Sequence, residues 1–201
     1  MYVEGKNDAV FFGNYIEVVF GFSVNSNGQL EKDGVVVEFV VLKGWSKLRT
    51  DKIQGDLEEN IEDGVTSLVL VDADNEFNDG GFAIRKAEVK AIQDQWAFEF
   101  FLVPNNQDDG FLETILKKII QEEQYAILKC LEERNACLAA VQNNIKRRLK
   151  LPPEKGAEKN NLQQFRNILE ASNDYKDPKI WNLQHDYLQP LKSFLETHLL
   201  P

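Results

Sequence analysis

The sequence predicts an α/β protein, a mostly parallel sheet covered by helices, that continues into a C-terminal helical extension. Three observations carry this expectation. Strand-like and helix-like segments alternate through residues 1–124, the order that a parallel sheet with crossover helices requires. The strand-like segments are near-continuous apolar runs, as strands buried on both faces are. Beyond residue 124 the β pattern stops, and apolar residues recur at helical spacing.

Each element follows from its own pattern. Residues 1–3 form a short β-type start, and residues 7–20 carry Val10, Phe11, Tyr15, Val18 and Val19 at helical spacing. Gly28 and Gly34 bracket a turn, and the β-branched run 35–42 reads as one strand buried on both faces. Residues 45–61 read as helix interrupted at Gly55, 66–71 as a second buried strand, 84–95 as helix and 96–103 as strand. An Asp108-Asp109-Gly110 turn then opens an amphipathic helix over 110–123. In the extension, Ile127, Leu131, Leu138, Val141, Ile145 and Leu149 mark one face of a helix over 125–149, which Pro152-Pro153 ends. Further helices are expected over 160–171 and 187–198. The chain thus divides into an α/β domain, 1–124, and a helical extension, 125–201, packed on it. The aliphatic stripe of 125–149 has two readings, docking on the sheet or forming the seam of a homodimer.

Composition narrows the function. A chain of 201 residues with 43% apolar and 28% charged residues suits one soluble globular domain with an appendage. No apolar run approaches the roughly 20 residues of a membrane span, and no cationic leader precedes an apolar stretch, so the expected place is the cytoplasm, away from membranes. The net charge is -10, which disfavours wholesale contact with polyanions. That excess lies in residues 1–124, with 24 Asp and Glu against 11 Lys and Arg; residues 125–201 carry 9 against 12. Cys130 and Cys137 are seven apart in a helical segment, about 10 Å at 1.5 Å per residue, and so read as free thiols. With His185 and His198 the only histidines, a structural zinc site is not expected, and ion chemistry must run on carboxylates.

In an open parallel sheet, ligands bind at the carboxyl ends of the strands. There the sequence places Glu4 after the first strand, Asp72 and Asp74 after the 66–71 strand, and Glu113 on the first turn of the helix that follows the 96–103 strand. Four carboxylates crowded on one edge would force some to protonate, and a hard divalent cation resolves that conflict. Lys6 stands beside Glu4, and Lys146-Arg147-Arg148-Leu149-Lys150 is the strongest basic run. Its two readings are a solvated helix end and phosphate contact.

Val3-Glu4-Gly5-Lys6-Asn7-Asp8, followed by Leu70-Val71-Asp72-Ala73-Asp74, resembles the toprim domain of topoisomerases, bacterial primases and OLD-type nucleases, with Gly44 matching its intervening glycine. Pro104-Asn105-Asn106, Gly110 to Glu113, Ile180-Trp181 and Leu188 to Leu191 are similar to a family of small bacterial toprim-like proteins. The resemblance implies a toprim-like fold and Mg²⁺, or Mn²⁺ in its place. Under it, Asp72 and Asp74 hold the ion, Glu4 is a ligand or general base, and Glu113 assists a second ion. It also implies nucleic acid as partner, with Lys6, Lys146, Arg147, Arg148 and Lys150 on phosphates. The extension shows no topoisomerase cleavage domain and no primase core or zinc ribbon, which leaves nuclease-like phosphodiester hydrolysis as the expected activity. A non-catalytic regulatory module of the same fold is the alternative. A phospho-acceptor receiver ranks behind both, because Glu4 and Asp72-Ala73-Asp74 fit its order poorly.

Overall fold

The computed structural model describes residues 1–76, 80–142, 156–171 and 174–200. Its centre is a four-stranded parallel sheet of β1 (Tyr2–Val3), β5 (Val40–Val41), β6 (Leu68–Asp72) and β7 (Glu99–Val103), in the order β5-β1-β6-β7. Tyr2 pairs with Val69 and Val3 with Leu70, while Asp72 pairs with Val103. The carboxyl ends of the strands therefore share one edge.

Side chains alternate across the strands and supply two cores. Val3, Leu68, Leu70, Phe101 and Val103 belong to one, and Tyr2, Val69, Val71 and Leu102 to the other. The second core is closed by α2 (Asp51–Glu62) through Ile53 and Leu57, and by α3 (Phe82–Gln93) through Val89 and Ile92. The first is built with α1 (Lys6–Phe20), α4 (Leu112–Ile119), α5 (Glu122–Gln142), α6 (Ala157–Ile168) and α7 (Gln189–Leu199). Extension and sheet thus share one core. Trp181, 2% exposed, stands at its junction: it bridges to Ile120 and meets the rings of Phe165 and Tyr175 edge-on.

The run 35–42 is not one strand. Asp33 and Gly34 both have positive φ, 50° and 83°, as a two-residue hairpin loop that matches strand twist requires. They fold β4 (Val35–Val37) back on β3 (Leu30–Lys32), and with β2 (Ser23–Val24) these make a separate three-stranded antiparallel sheet. Only Val40 and Val41 reach the parallel sheet, so Val36 is exposed rather than buried. The predicted helix 45–61 opens instead as a 3-10 turn, Trp45–Arg49, and Gly55 continues α2 without a break. The predicted helix 110–123 stops at Ile119 and restarts at Glu122. On α5 the stripe divides: Ile127 is half-buried and Leu131 buried, whereas Leu138 and Val141 are exposed. Ile145 and Leu149 lie outside the described residues. Both cysteines are free and exposed. Among the described residues, no helix is long and apolar enough to cross a membrane.

Candidate metal centre

Glu4 follows β1 directly, and its backbone is held in place by the neighbouring strand end. The Lys43 and Gly44 N–H groups donate to the Glu4 carbonyl at 2.9 and 3.3 Å. Its side chain turns to β6, where Oε2 accepts the Asp72 N–H at 3.2 Å. Asp72 closes β6, and its Oδ1 accepts the Leu112 N–H at 3.2 Å, from the start of α4. Asp8 lies in the first turn of α1 and Glu113 in the first turn of α4. These four carboxylates line a cleft of about 330 Å³, with Lys6 and the exposed Lys159 also on its walls.

The electrostatics are those of crowded acids. Burial pushes the Asp72 carboxyl well above the ordinary carboxylate range, and Asp8, Glu4, Asp74 and Glu113 push it further. Burial likewise raises Asp8 from 3.8 to about 6, aided by Glu4 and Glu113. Glu4 is raised by burial and by Asp74, against the lowering effect of its backbone donors and of Arg85. The amino-terminal ends of α1 and α4 both face this group, and their partial positive charge offsets part of the repulsion.

The donor set is all carboxylate oxygen, which suits Mg²⁺ or Mn²⁺ rather than a softer metal. Among the described residues, no group of three or more His, Cys, Asp or Glu side chains is placed to hold a metal ion. Glu4 and Asp72 each point an oxygen at a backbone N–H. Mg²⁺ fits such an edge, since it keeps several waters and takes few protein ligands directly.

Of the residues read from the sequence, Glu4, Lys6, Asp72 and Glu113 line one cleft. Asp74 goes elsewhere. Its φ of 61° turns the chain, and its Oδ2 lies 2.8 Å from Nη2 of buried Arg85. Asp8 was missed as a member of the acidic group. Its signal was present in Glu4-Gly5-Lys6-Asn7-Asp8, because a helix that starts at residue 6 returns its first turn to the strand end. Arg85 gave no signal beyond one cation in an amphipathic helix. Lys146, Arg147, Arg148 and Lys150 lie outside the described residues.

The metal-free protein is expected to lose stability as pH rises through the range of Asp8. Its folded-state value, about 6, exceeds its ordinary 3.8, so the folded state holds the proton longer and stability falls as that proton leaves. Asp8→Asn should remove this cost, gaining on the order of 1 kcal/mol over wild type between about pH 5 and pH 7. Urea midpoints for both proteins across that range, in chelator, check it; a constant difference would show that Asp8 is not strained by burial.

A family model described as Protein of unknown function (DUF3226) matches residues 1–200. No curated protein and no solved structure matches the chain.

Proposed function

The chain belongs to the DUF3226 family, and from its acidic sheet edge we propose a toprim-like, Mg²⁺-dependent hydrolase of nucleic-acid phosphodiesters. The observation that carries this reading is the meeting of Glu4 and Asp72 at adjacent parallel strand ends, in one cleft with Asp8 and Glu113. Asp8, Asp72 and Glu113 would hold the ion, directly or through water. When bound, the ion supplies Lewis-acid polarisation of a phosphoryl oxygen and stabilises charge on the leaving oxygen. Glu4, whose carboxylate is held by the Asp72 and Trp45 N–H groups, takes the proton of an attacking water. Burial raises its affinity for that proton, the direction that a general base requires. Lys6 and Lys159 meet the phosphates that flank the scissile bond.

A second, larger cleft adjoins the first through the neighbours Glu158 and Lys159. Lys118, Lys129 and Tyr125 line it, a combination suited to backbone phosphates and a stacked base. Glu122 and Glu158 share its lining, so the lysines there alternate with acids.

Incubation with single-stranded, linear and supercoiled DNA and with RNA, in Mg²⁺ or Mn²⁺, tests the reading. Cleavage is expected from wild type, and loss of it in Asp72→Ala. Cleavage that persists in that variant, or that survives chelation, would refute it. One observation favours a non-catalytic module of the same fold: Asp74, which the toprim resemblance assigns to the metal, is taken up by Arg85. Metal binding without cleavage of any substrate would favour that module.

A further inference from the structure

Asp72 and Asp74 are two apart, a spacing that sets both side chains on one side of an extended strand. The left-handed backbone at Asp74 breaks that alternation, and of the pair only Asp72 lines the cleft. Paired backbone bonds with Gly110, at 2.8 and 2.7 Å, fix Asp74 in its place. Its carboxylate meets Arg85, whose side chain is 2% exposed.

The guanidinium is fixed as firmly. Glu88 Oε2 lies 2.8 Å from Nη1, and the Trp45 ring centroid lies 3.9 Å from the guanidinium carbon. Gly80 leaves the room that the pair fills: a Cβ there would stand 2.5 Å from Asp74 Cβ and 3.2 Å from Arg85 Nη2. Carboxylates on two edges and an aromatic face beneath hold a cation that cannot lose its charge in a protein. The charge is also close enough to lower Glu4.

On the reading of the cleft as a metal centre, we propose that Arg85 stands in the place of a second cation on this sheet edge. It neutralises Asp74 permanently, so that the chain takes one exchangeable divalent ion, on Asp8, Asp72 and Glu113, rather than two. Arg85 is a positioning residue: it touches neither substrate nor the exchangeable ion, and acts through Asp74.

Mn²⁺ binding, followed by equilibrium dialysis and by the spin-resonance signal of free Mn²⁺, tests this on the intact chain. Wild type should bind one ion, and Asp72→Asn none. The double variant Asp74→Asn with Arg85→Met, a neutral pair, should still bind one with affinity within about tenfold of wild type, no more than the low end of the loss that follows removal of a ligand's supporting partner. Arg85→Met alone leaves Asp74 charged and should bind a second ion. Two ions on wild type, lost binding in the double variant, or a folded Arg85→Met that still takes only one ion would each overturn the assignment of Arg85 while leaving the metal centre standing. Wild type that binds no Mn²⁺ would overturn both.

Discussion

Asp72→Asn should stabilise the metal-free protein and weaken Mg²⁺ binding by about 100-fold or more, a loss at or beyond that seen when a ligand's supporting partner is removed. Both effects have one cause. Asp72 is raised far above its ordinary range by burial and by four neighbouring carboxylates. Asparagine keeps an oxygen for the Leu112 N–H that Asp72 accepts but brings no charge. Removal of the repulsion should add about 1–2 kcal/mol, or about 2–8 °C in Tm. The same charge is what a cation needs, so its loss falls directly on binding. Thermal melts in chelator and in a Mg²⁺ series measure both at once. A lower Tm together with unchanged Mg²⁺ affinity would remove Asp72 from the proposed centre.

Arg85→Met is expected to be the most damaging single change among the residues around the site, at up to about 3–5 kcal/mol, because it removes a buried cation and leaves two half-buried acids without their partner. For a chain of 201 residues that is a fall of about 6–20 °C in Tm. Asp74 is the acid most affected, with 20% of its side chain exposed against 31% for Glu88. Addition of Asp74→Asn should therefore recover a large part of the loss. The four melts of a double-mutant cycle measure that coupling. Additive losses would show that Arg85 stabilises through Trp45 and packing alone.

The residues whose roles repeat along the chain were the legible ones. The apolar runs 66–71 and 96–103 announce buried strands, and a strand end is where a parallel sheet presents its polar residues, so Glu4, Asp72 and Glu113 could be placed from sequence. What escaped depends on single backbone angles and on contacts between distant segments. Asp33 and Gly34 turn a valine-rich run into parts of two sheets, which periodicity alone does not reveal. One left-handed residue sends Asp74 to Arg85 instead of to Asp72. Asp8 reads in sequence as an ordinary acid in the first turn of a helix. Only the short link from β1 to α1 brings it to the strand edge.

The strand order has a consequence for how the acidic edge comes into being. β1 lies between β5 and β6, and Glu4 bonds to an amide 68 residues further along the chain. Synthesis delivers Glu4 and Asp8 first and Asp72 much later, and no local hairpin brings them together. Pairings so far apart in sequence close late and slowly. The repulsion among the carboxylates is therefore met near the end of folding, when apolar burial in both cores is available to outweigh it.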